Sequence, residues 1–131
     1  MKIINAMADH SAETRPAYHS EAERSIADML TSYGIPFYYK QPTLVVEDGR
    51  RCIEYADFFL PTYAGLSLDY FADPRGHAYQ RKTRVYSENQ VPAALLTRDD
   101  ISGRGWQQRL YSKLERLHHG VRTYRSRGKY G

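Results

Sequence analysis

The chain has a single cysteine, Cys52, so no intrachain disulfide can form and a packed core must hold the fold together. No apolar stretch approaches the ~20 residues that a membrane-spanning helix needs. The opening "MKIINAMADH" carries one Lys and then acidic and His residues, unlike the basic-then-apolar pattern of a secretory signal. These absences point to a reducing cytoplasm and to no membrane partner. Internal repeats and low-complexity stretches are missing ahead of the C-terminal end. The five histidines, at 10, 19, 77, 118 and 119, lack the spacing of a zinc site. Cys52 lies in a strand-like run, where it reads as a small core residue and not as a nucleophile.

What the chain does contain suits one domain. Its 131 residues are 41% hydrophobic and 26% charged, enough for a real core and too few for two comfortable ones. Net charge is +4, but unevenly spread. From Arg104 to Gly131 there are eight Lys/Arg and one acid, Glu115, a local charge of +7 that leaves residues 1–103 at −3. A basic end on a slightly acidic body suggests a polyanionic partner, although a solubilising tail has the same composition.

Local patterns predict the order helix, three strands, helix, strand, helix. Ser20 with Glu23 has capping-box spacing at the start of a helix whose apolar stripe is Ile26, Ala27 and Leu30; Gly34 and Pro36 end it. "PFYYKQPTLVVE" predicts a strand interrupted by Pro42, and Asp48-Gly49 a tight hairpin turn. "RCIEYADFFLP" is the second strand, with Ile53, Tyr55, Asp57 and Phe59 on one side. "LSLDYF" is the third. A helix over about 73–89 and the apolar strand "VPAALLT" follow. The last helix is amphipathic, with Trp106, Leu110, Leu114 and Leu117 inward. A helical crossover lets the third and fourth strands lie parallel, which implies an α/β sandwich around a small mixed sheet.

Chemistry is suggested by acids in apolar company. Asp57 and Asp69 fall on neighbouring predicted strands, close enough in an antiparallel pair to repel each other unless a cation intervenes. Mg²⁺, or Mn²⁺ in its place, suits such oxygen donors. Each acid could instead cap a strand end or pair with an arginine. On the next helix Lys82 interrupts the apolar stripe of Ala78, Tyr79, Val85 and Tyr86, facing the strand of Asp69 unless its stem snorkels to water. Arg81 and Arg84 fall on the solvated side. Glu23 offers a third carboxylate, although a capping box would also explain it. Three carboxylates and a lysine can hold a divalent ion, polarise a phosphodiester and offset the charge that develops on it.

In this order the residues resemble the PD-(D/E)XK nucleases of the restriction-endonuclease-like fold. "SEAERSIADMLTSYGIPFYYKQP" is similar to the opening of junction-resolving and transposon-end-cleaving members and puts the family's helix Glu at Glu23. "YADFF" resembles the Pro-Asp-Phe motif, with Ala56 in the proline's place, and puts a metal-binding Asp at Asp57. "LDYFAD" resembles a Glu-Tyr-Phe-Gly variant and puts the second ligand at Asp69. Phe71 stands where the strand lysine belongs. In that variant the lysine comes from the following helix in a Lys-x-x-x-Tyr pattern, which "KTRVY" supplies as Lys82 and Tyr86.

The resemblance spans Ser20 to about Leu117. It implies a three-layer α/β/α sandwich over residues 18–119, after an N-terminal extension (1–17) and before a basic tail (120–131). It implies a Mg²⁺-dependent DNA endonuclease with Glu23, Asp57, Asp69 and Lys82 catalytic, working as a homodimer or with a targeting partner protein. Arg122, Arg125, Arg127 and Lys129 would grip DNA phosphates. The alternative is a nuclease-fold module that binds DNA or a protein without cutting.

Overall fold

A computed structural model describes residues 3–4 and 18–130, with side chains for 18–120. The strands are β1 (Ile3–Ile4), β2 (Phe37–Glu47), β3 (Arg50–Leu60), β4 (Leu66–Tyr70) and β5 (Ala93–Leu96). The helices are α1 (Glu21–Ser32), α2 (His77–Glu88) and α3 (Trp106–Tyr130). The strands form one mixed sheet in the order β1-β2-β3-β4-β5, whose body is β2 to β5 because β1 has only two residues. β2, β3 and β4 form an antiparallel meander, and β5 joins β4 in parallel after the α2 crossover.

The core is a single cluster that joins Ile26, Met29 and Leu30 of α1 to Phe37, Phe58, Leu60, Leu66, Leu68 and Leu96 of the sheet and Leu110 and Leu114 of α3. Trp106 and Leu117 pack against it at the rim, as the period of α3 implies. Along β4, Leu66 and Leu68 enter this cluster while Ser67 and Asp69, of opposite parity, are buried outside it. No described helix is long and apolar enough to cross a membrane.

Local expectations met several physical corrections. β2 runs straight through Pro42, which pairs with Tyr55. β1 covers β2 only at Phe37 and Tyr38, so at Pro42 the outer edge of β2 has no partner strand among the described residues, and an edge strand tolerates a proline. α2 starts at His77, later than Asp73, because the Asp73 carboxylate accepts the Arg75 N–H at 2.9 Å and closes a turn first. The segment Arg98–Ile101 is a separate 3-10 turn, and Gly103 and Gly105, at φ +86 and +77, reset the chain before α3. The tail expected from residue 120 continues α3 to Tyr130, since neither Gly120 nor Gly128 costs enough to stop a helix already propagating.

On β3 the core side is Ala56, Phe58 and Leu60, whereas Ile53 and Tyr55 are half exposed, because β4 reaches only as far as Phe58. The Asp48-Gly49 turn is as expected: both residues are left-handed, at φ +53 and +77, and Glu47 pairs with Arg50.

Candidate functional site

The β3–β4 ladder ends at the pair Phe58–Leu68, and the next residue on each strand is an acid. Asp57 and Asp69 complete the ladder with their side chains. Asp69 Oδ1 accepts the Asp57 N–H at 2.8 Å, and Asp57 Oδ2 accepts the Tyr70 N–H at 2.9 Å. Each carboxylate is thus fixed by the other acid's strand. Asp69 is only 1% exposed, and its remaining oxygen accepts from the Tyr86 hydroxyl at 2.8 Å. Burial, the largest influence, pushes the Asp69 carboxyl above its ordinary range; Lys82 opposes the rise and Asp57 adds to it. Tyr86 is raised too, first by its own burial and then by Asp69.

From α2, Lys82 reaches across to this pair. Its ammonium donates to Asp69 Oδ1 at 3.1 Å and to the Tyr55 carbonyl, lies 3.9 Å from Glu54 and rests beside the Tyr86 ring. The lysine does not snorkel; its side chain is 12% exposed. The spacing in "KTRVY" therefore has a physical function: an i, i+4 pair on α2 puts an ammonium and a hydroxyl on the two oxygens of one carboxylate.

Arg81 is not on a solvated face. It bridges Glu47 and Glu54 with contacts of 2.7–3.1 Å, and Arg84 joins Glu47 at 3.0 Å, which ties α2 to the β2–β3 hairpin. Helical period alone could not reveal this, because the hairpin arm passes beside the polar side of α2.

Glu23 makes half of the expected capping box. Ser20 Oγ accepts the Glu23 N–H at 3.1 Å, but the Glu23 carboxylate turns inward instead of back to Ser20. It accepts from the Tyr39 hydroxyl, from the His19 N–H at 3.3 Å and from Lys40 Nζ at 3.2 Å. Lys40 also donates to Asp57 Oδ1 at 2.6 Å. Burial would raise the Glu23 carboxyl, but the Tyr39 and Lys40 contacts win and hold it below the usual carboxylate range. Burial likewise works against the charge on Lys40, and its two acids more than restore it. Tyr39 is pushed up to about 12, first by burial and then by Glu23.

Of the four expected site residues, then, Asp57, Asp69 and Lys82 meet directly, and Glu23 joins them through Lys40. Lys40 was missed. The only sequence signal was a lysine lodged within the apolar run "FYYKQPTLVV". Its left-handed backbone, φ +55 in mid-strand, has no signature in a lysine. Arg122, Arg125, Arg127 and Lys129 lie in the last turns of α3, outside the residues whose side chains are described.

The donors are all hard oxygens, the type Mg²⁺ and Mn²⁺ prefer, and the site attracts positive charge at two places, between Glu23 and Asp57 and beside Asp69. By donor chemistry alone the residues fit a divalent ion once the ammoniums yield room. Among the described residues no three acids, histidines or cysteines are grouped closely enough to hold a metal as they stand. No family model, curated protein or solved structure matches the chain.

Proposed function

We propose that the chain is a Mg²⁺-dependent DNA endonuclease of the PD-(D/E)XK type, on a three-layer α/β/α sandwich with a restriction-endonuclease-like sheet. One observation carries the reading: a lysine from the crossover helix, 12% exposed, donates at 3.1 Å to an acid interlocked with a second acid on the adjacent strand. Paired carboxylates beside an ammonium are groups that metal-assisted phosphodiester hydrolysis can use.

Asp57 and Asp69, with Glu23, would hold the ion, which supplies Lewis acidity toward the phosphate and a lower pKa for a bound water. The chain's own groups do the rest. The Asp57 N–H and the Tyr86 hydroxyl fix the orientation of Asp69. Lys82, held on Asp69, would offset the negative charge that grows on the phosphate oxygens as water attacks phosphorus and the P–O bond to the leaving oxygen breaks. That oxygen takes up a proton, and the products are a 5′- or 3′-phosphate and a free hydroxyl. The chain would work as a homodimer or with a targeting partner, and the basic end of α3 would add phosphate contacts.

The second reading, a nuclease fold that binds without cutting, is favoured by Lys40, which holds two of the three acids by ammonium contacts. Incubating supercoiled, branched and single-stranded DNA with Mg²⁺ or Mn²⁺ separates the two. The nuclease reading expects nicking or cleavage that Asp57→Asn lowers by at least about 10³-fold while DNA binding survives. Equal cutting by the variant would mean a contaminant or a misplaced site, and no cutting of any substrate by the wild type would leave the binding module.

A further inference from the structure

Lys40 has no part in the proposed reaction, yet the fold goes out of its way to hold it. Among the described residues, four other than glycine have a positive φ: Lys40, Asp48, Ala64 and Gln90. Asp48 is in the hairpin turn, Ala64 follows the 3-10 turn Pro61–Tyr63, and Gln90 follows the end of α2. Only Lys40 adopts this conformation inside a strand, where nothing reverses direction and a long side chain gains nothing from it. Such a backbone persists when its surroundings over-determine it. Here they do so through the ammonium, 2.6 Å from Asp57 and 3.2 Å from Glu23.

The two lysines of the site differ in a way that decides which can move. Lys82 is 12% exposed and anchored on a carboxylate and a backbone carbonyl. Lys40 is 29% exposed, bonded to two carboxylates with its ammonium 5.2 Å from the centre of the Tyr39 ring, and carries its charge on a flexible four-carbon stem with a path to water. An ion entering between Glu23 and Asp57 would meet that ammonium and repel it.

We propose that Lys40 is the site's resident counter-cation: its ammonium holds the position between Glu23 and Asp57, yields it to a divalent ion, and then pairs with a phosphate of bound DNA. Metal and DNA therefore bind cooperatively, since each offers what the other displaces. This rests on the nuclease reading but makes claims that reading does not need.

The full chain is titrated with Mn²⁺ by calorimetry, with and without a phosphorothioate duplex that cannot be cut. Without DNA, Lys40→Met binds Mn²⁺ about tenfold more tightly than wild type. The duplex raises the wild-type affinity by a larger factor than that of the variant, in which only the ion's own contact with the phosphate couples the two. Equal or weaker Mn²⁺ binding by Lys40→Met overturns the inference and leaves the nuclease reading intact. Absence of divalent binding in the wild type, in the variant and in the DNA complex takes down both. Because the variant leaves two acids without their ammonium and can fail to fold, the wild type is also followed by NMR of its lysine ammonium groups. Saturating Mg²⁺ should move the Lys40 signal to the position and fast exchange of surface lysines while Lys82 keeps its contacts; an unmoved Lys40 signal also overturns the inference.

Discussion

Asp69 is an acid inside a protein that can scarcely afford one, and its surroundings show how the cost is met. One oxygen takes an N–H and an ammonium, the other a tyrosine hydroxyl, so that three donors replace water. The donors come from three places, β3 and two turns of α2, which makes Asp69 the point where sheet and crossover helix agree. If Lys82 serves the reaction, Lys82→Met lowers cleavage by about 10²–10³-fold and leaves DNA affinity within a few-fold, as gel shifts beside a cleavage assay would show. A comparable loss of DNA binding would reduce Lys82 to an anchor. Glu23 allows a test that needs no substrate. Its folded carboxyl lies below the ordinary 4.5, so its contribution to stability is complete above that value and is lost as pH falls through the lowered one. Asp69 acts in the opposite sense: its carboxyl is raised, so the favourable state is fully present below 3.8 and is lost as pH rises through the raised value. Comparing wild type with Glu23→Gln keeps Asp69 constant. The melting temperature of the wild type should fall more steeply below pH 4.5 than that of the variant. Parallel acid limbs would mean that the Tyr39 and Lys40 contacts do not stabilise ionised Glu23.

At the scale of elements, the β3–β4 ladder ends where the acids of the candidate site begin. β3 and β4 share only three registered pairs, Phe58–Leu68 to Leu60–Leu66, and this short ladder leaves Asp57 and Asp69 free to use their side chains. The apolar residues at the same pairs hold the position rigid. Phe58 is fully buried and touches Phe37 edge-on, with ring centroids 5.3 Å apart. Phe58→Ala should therefore cost about 3–5 kcal/mol in urea unfolding. A much smaller cost would mean that the sheet is not anchored there. The hairpin of β2 and β3 runs on past this ladder and is held from outside by α2: Arg81 and Arg84 take its acids, and Asn89 exchanges hydrogen bonds of 2.8 and 2.9 Å with the backbone of Val46, standing in for a strand. These contacts explain why the helix was legible as a helix while its charged residues were misread as solvated. Periodicity describes an element's own faces and says nothing about an arm folded against its polar side.

For the whole molecule, charge is unevenly spread along the chain. The acids of the site sit on a body of net −3, and the last 28 residues carry +7, with Arg122, Arg125, Arg127 and Lys129 in the last turns of α3. If that end grips phosphates, DNA affinity should fall steeply with salt, each contact adding about 0.9 to the logarithmic slope. Deleting residues 120–131 then flattens the slope by up to about 3.6, the share of Arg122, Arg125, Arg127 and Lys129. An unchanged slope would assign binding to the folded body alone.

By itself the sequence determined whatever depends on neighbours along the chain. The capped start of α1, the tight turn at Asp48-Gly49, the order of strands and helices and the inner face of α3 all follow from residues within one or two turns of each other. It also put Asp57, Asp69 and Lys82 in apolar company, where a charged group needs a partner. Only the tertiary structure decided who the partners are. That Glu23 turns from its own cap to Tyr39, that Lys40 joins it to Asp57, and that Arg81 leaves water for two acids of the hairpin are matters of Coulomb energy between residues 16 to 34 positions apart. Such energies depend on distance in space, which chain packing sets and no local pattern records.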